Sequence, residues 1–128
     1  MRIDASKLEW HDAGVDGTNY EDGTRTMQWK IEVFRWDIGD RGDAQPGLLI
    51  FEGVQSIQSH HDLNDVNLFG QVDWEILTAQ FMNTYDQLKC EFKIHLGNVR
   101  NPLGGHGYGE IVITCLKAWF IPEQKSPE

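Results

Sequence analysis

Residues 89–96 alternate without interruption, with Cys90, Phe92, Ile94 and Leu96 on one side and Lys89, Glu91, Lys93 and His95 on the other. A period of two marks a β-strand with one dry and one wet face, because successive side chains leave a pleated sheet on opposite sides. A helix cannot satisfy it, since its buried stripe recurs every three or four residues. Shorter runs rich in Val, Ile, Trp and Phe repeat the signal, each bounded by Gly, Asn or Asp. The expected fold is all-β, or β with one short helix. It is read as a single antiparallel sandwich or open barrel spanning residues 1–128, with a flexible tail from about residue 122.

Residues 7–11 read as a first short strand and residues 14–24 as a turn-rich stretch. In residues 27–37, Met27, Trp29, Ile31 and Val33 share a face before the apolar parity shifts to Phe34 and Trp36. Such a shift asks for a bulge or a strand covered on both sides. Residues 38–47 read as a loop, 48–58 as one strand interrupted at Gly53, and 59–65 as a polar loop. Residues 66–85 carry two patterns. Trp74, Leu77, Phe81, Tyr85 and Leu88 have helical spacing, while Thr78, Phe81, Thr84 and Tyr85 suit strands with a turn at Asn83; strands are favoured. A long connection is expected over 97–109 and one central strand over 110–121. Pairing Leu96 with Gly109 would set Cys90 opposite Cys115. Two buried free thiols are expected there, because a cytosolic compartment keeps thiols reduced; with no C-x-x-C or histidine partner, neither is a nucleophile candidate.

A chain of 128 residues needs no disulfide or metal staple to fold. It has no apolar run long enough for a transmembrane helix, and its first residues lack the apolar segment of a secretory signal, so a cytoplasmic protein is expected. The formal net charge is -9. Phosphate backbones and anionic membrane surfaces repel such a chain, which argues against nucleic-acid and membrane partners. Residues 46–88 contain six acids and no Lys or Arg. Asp62, Asp65, Asp73, Glu75 and Asp86 from this segment are the expected partner-binding carboxylates, facing a basic protein. His106 and Tyr108 join them as residues displayed on the connection after residue 96.

Other chemistries find less support. His60, His61, Asp62 and Asp65 form the best metal candidate, and a metal-dependent enzyme would need His60 or His61 to converge with carboxylates and one of His11, His95 or His106. No H-E-x-x-H or spaced cysteine pair completes such a site, so no metal and no cofactor are expected. The Asp-rich stretches from Asp12 and Asp37 lack the ligand order and closing Glu of a calcium loop. Residues 104–109 are glycine-rich but lack the Lys-Ser/Thr pair of a phosphate loop, and Arg41-Gly42-Asp43 reads as a plain turn. No nucleophile has a neighbouring base, and enzymatic turnover is not expected. Two exposed members of the five tryptophans on one sheet face would instead suggest a ligand- or carbohydrate-binding domain. An uncovered strand edge or large apolar patch would suggest a homo-oligomer.

Three segments carry a family resemblance: Leu8-Glu9-Trp10-His11-Asp12-Ala13, Leu49-Ile50-Phe51-Glu52-Gly53-Val54, and the closing pair Phe92-Lys93-Ile94 with Gly109-Glu110-Ile111-Val112-Ile113. Together they resemble a group of small bacterial β-domains that includes immunity proteins of polymorphic toxin systems and domains of unknown function. The resemblance implies a small all-β cytoplasmic protein that binds and neutralises a toxin domain by occlusion, without catalytic residues. It also implies that His11 and Asp12 hold a turn through side-chain to backbone bonds.

Overall fold

The computed structural model describes residues 2–35, 44–61, 70–100 and 106–123. Nine strands run through them: β1 (Ile3–Asp4), β2 (Gly14–Glu21), β3 (Thr26–Phe34), β4 (Ala44–Glu52), β5 (Ser56–His61), β6 (Gly70–Asn83), β7 (Leu88–Arg100), β8 (His106–Cys115) and β9 (Lys117–Pro122). They form one antiparallel sheet in the order β1-β9-β4-β3-β2-β6-β7-β8-β5. The fold is all-β, as its alternation foretells; a 3-10 turn over Ala5–Lys7 is the only helical element among the described residues. Among those residues no helix is long and apolar enough to cross a membrane.

The sheet is open and folds over on itself. β4 and β7 are separated in the sheet by β3, β2 and β6, yet Phe51 meets Phe92 edge-on at 5.9 Å and Trp29 lies 4.8 Å from Phe92. Two halves therefore pack face to face, joined by β2 and β6. Inward residues alternate along each strand, as a half-wet sheet requires. Met27, Trp29, Ile31 and Val33 on β3 are buried, as are Cys90, Phe92, Ile94 and Leu96 on β7. Trp29 and Trp74 meet edge to face at 5.8 Å in the middle of this core. Trp10 closes one side of the core, bonding the Ala5 carbonyl through its indole N–H at 2.8 Å and packing on Phe120 at 5.8 Å.

Several expected boundaries give way. Residues 7–11 are no strand; the chain forms β1 earlier, then the 3-10 turn, then a turn at His11 and Asp12. That turn is closed by the backbone bond from Ala13 N–H to the Trp10 carbonyl, and Asp12 takes a positive φ of 67°. Exchange of backbone bonds with Ile76 then ties residues 12–13 to β6. The turn-rich stretch over 14–24 is a turn only from Asp22; Gly14–Glu21 is the strand β2, because its Gly, Asp and Asn residues fall mostly on the outer face while Val15, Thr18 and Tyr20 point inward. The 48–58 run is two strands, since Gly53 at φ 66° turns the chain from β4 in one half to β5 in the other. The loop expected over 38–47 is already strand from Ala44, and residues 59–61 belong to β5.

The ambiguous 66–85 region is strand over Gly70–Asn83, and the apparent helical spacing comes from a bulge at Leu77 that shifts parity between Ile76 and Thr78. The long connection over 97–109 shrinks, because β7 extends to Arg100 and β8 begins at His106. The final run breaks at Leu116 into β8 and β9, the latter pairing with β4. Order reaches past residue 122, with Glu123 N–H bonded to the Pro46 carbonyl at 2.8 Å; the rest of the expected tail lies outside the described residues. Cys90 pairs with Ile113 and Cys115 with Leu88, so the register differs by two residues from a directly opposed cysteine pair. Both thiols are free and buried.

A candidate interaction face on β6, β7 and β8

The outward residues of β6, β7 and β8 form cross-strand rows, and one carries two of the expected partner-binding groups. Glu75 on β6 lies opposite His95 on β7, and His95 lies opposite Tyr108 on β8. The His95 and Tyr108 rings sit 5.4 Å apart. Tyr108, near the start of β8 and one position past the last β5–β8 pair, keeps 48% of its surface exposed. Asp73 is two residues before Glu75 on the same strand and shares its exposed face. The register places Thr78, Lys93 and Glu110 in the next row, followed by Gln80, Glu91 and Val112.

These two rows frame a shallow hollow of about 360 Å³ lined by Thr78, Gln80, Glu91, Lys93 and Glu110. Lys89 pairs with Glu91 at 3.2 Å along β7. The face thus holds Asp73, Glu75, Glu91 and Glu110 against Lys89 and Lys93, an acidic balance with a tyrosine in it. Rigid strands hold the rows in place, because their inner sides carry the buried Trp74, Ile76, Phe92, Ile94 and Ile111.

The expected residues therefore separate. Asp73, Glu75 and Tyr108 come together. Asp86 sits in the β6–β7 turn, beyond the far end of β6 and roughly 25 Å or more from Glu75 at about 3.3 Å per residue. Asp62 and Asp65 lie outside the described residues. The backbone pairs His106 with Arg100, His60 with Glu110 and His61 with Gly109. Among the described residues no three His, Cys, Asp or Glu side chains gather in a way that could hold a metal ion. His11 lies in the turn before β2, 3.8 Å from Glu9, and the residues that follow it bond to Ile76 of β6.

His95, Glu91 and Glu110 belong to the face although charge counting along the chain passed them over. For Glu91 and His95 the signal was the alternation of 89–96 itself, which sets both on the wet side; Glu110 joins them only through the β7–β8 register. Trp10, Trp29 and Trp74 are buried and Trp119 is partly exposed, so the described tryptophans do not form a paired stacking platform. Trp36 lies outside the described residues.

Cys90 and Cys115 supply no chemistry to this face, being on its inner side. The bond that Cys90 donates to Cys115, and then burial, push the Cys90 thiol far above its ordinary range. Accepting that bond lowers Cys115, with burial pulling the other way. No family model, curated protein or solved structure matches this chain.

Proposed function

We propose that this chain is a non-catalytic cytoplasmic binding protein that occludes a basic protein domain, in the manner of an immunity protein against a cationic toxin. The observation that carries the reading is the exposed Glu75–His95–Tyr108 row with Asp73 beside it. Tyrosine combines a large apolar ring with a polar end, and it recurs at the centre of protein interfaces. Carboxylates around it favour a partner of opposite sign and speed the encounter. A net charge of -9 acts in the same direction over longer range.

The test is recovery of tagged chain from its native cells at low and high ionic strength, beside an Asp73→Asn/Glu75→Gln variant. A basic protein should be retained by the unmodified chain at low salt and released by salt or by the double substitution. Retention of no protein, or retention indifferent to both changes, would overturn the proposal.

A further inference from the structure

We infer that the outer face of the other half of the sheet carries a second binding groove, which takes an extended basic segment of a partner protein. This inference rests on reading the chain as a protein-binding domain, but it concerns a different surface. Two adjoining hollows, of about 470 and 300 Å³, share Asp16, Lys30 and Leu48. Their origin is local. The register shifts between Val15 and Gly17, and this irregularity leaves Asp16 exposed at the rim. Gly17 then leaves an empty place opposite Lys30, in a row that continues through Leu48 to Ile121. A methyl group at Gly17 would find its nearest neighbours at 3.5 Å (the Gly70 carbonyl) and 3.9 Å (Lys30 Cβ), so the space is real and can be filled without strain.

The groove crosses from Gly70 on β6 over β2, β3 and β4 to β9. Four strand spacings of about 4.8 Å give roughly 19 Å, the length of five or six residues of extended chain. Asn19 and Gln28 oppose each other at one side. Each amide offers both donors and an acceptor, which is what a peptide backbone requires. Leu48, Ile121 and Pro46 provide apolar contact for the stem of a long side chain. Among the described residues, Asp16, Glu32 and Glu123 surround the smaller hollow against one cation, Lys30, so an arginine or lysine head is favoured. Among the described residues no aromatic ring lines either hollow, which sets the groove apart from a sugar-stacking site.

The experiment titrates isotope-labelled protein with a blocked hexapeptide of alternating Leu and Arg, and with its Leu/Glu counterpart, following amide shifts. The Arg peptide should shift Gly17, Lys30 and Leu48 saturably, at least tenfold more tightly than the Glu peptide. Gly17→Val should abolish this while the spectrum stays dispersed, and Asp73→Asn/Glu75→Gln should bind the peptide unchanged. Equal binding of the two peptides, shifts spread over both halves, silence up to about 1 mM, or indifference to Gly17→Val would each overturn the groove. Loss of the peptide in the Asp73/Glu75 variant would overturn it as well, by moving the contact to the β6–β8 face. Retention of a basic protein alongside a silent groove would remove only this inference and leave the proposed function standing.

Discussion

Trp29 touches Phe51, Trp74 and Phe92 at 5.2, 5.8 and 4.8 Å, and so ties β3 to three other strands on both halves of the sheet. Trp29→Ala should cost about 3–5 kcal/mol in chemical denaturation, because the halves cannot close over so large a void. Gly47 shows the opposite constraint. A Cβ there would strike the Ile121 carbonyl oxygen and come within 2.8 Å of the Phe120 ring, whereas at Gly14 it would meet nothing within 4 Å. Gly47→Ala is expected to lose roughly 1–3 kcal/mol and Gly14→Ala almost nothing, measured as midpoint shifts in the same denaturation series. The raised Cys90 thiol makes a further prediction. Below pH 9.0, its ordinary value, folded and unfolded chains both hold this proton; above it the unfolded chain releases the proton and the fold keeps it. Stability should therefore fall as pH rises beyond that point, by up to about 1.4 kcal/mol per unit. The fall should be shallower in Cys90→Ala/Cys115→Ala, where no buried thiol remains to be raised by burial.

At the scale of elements, β3 and β7 were legible because their inner faces are uniformly apolar over consecutive alternate positions. β2 was not. Its sequence Gly14–Glu21 is that of a turn, and its strand state comes from lying between β3 and β6, which satisfy its backbone on both sides. The divisions at Gly53 and Leu116 were also hidden, since each run stays β-forming while its pairing partner changes from one half of the sheet to the other. The same limit applied to the candidate face. Asp73, Glu75 and Tyr108 stood out as residues, but the row through His95 depends on strand register, and a bulge at Leu77 and the length of the β7–β8 hairpin set that register. Leu77 itself is exposed and outside the core. Leu77→Thr should change stability by no more than about 0.5 kcal/mol, whereas Ile76→Ala beside it should cost about 2–5 kcal/mol. Denaturant midpoints would separate the two.

At the scale of the molecule, one folded sheet presents two wet outer faces with different equipment. The β6–β8 face has rows of carboxylates around a tyrosine, and the β2–β9 face has a groove floored by Leu48 and Ile121. Both lean negative, in keeping with a chain of net charge -9. Association with a basic partner should therefore slow steeply as salt is raised, while dissociation follows the short-range contacts. Two exposed tyrosines offer the most direct comparison. Tyr108 lies in the Glu75–His95–Tyr108 row, and Tyr85 stands fully exposed in the distant β6–β7 turn. The decisive measurement is the dissociation constant of the retained basic partner for Tyr108→Ala and Tyr85→Ala beside the unmodified chain. The face predicts at least about tenfold weaker binding for Tyr108→Ala and no change for Tyr85→Ala. Equal affinities for Tyr108→Ala and the unmodified chain, or a loss confined to Tyr85→Ala, would contradict it.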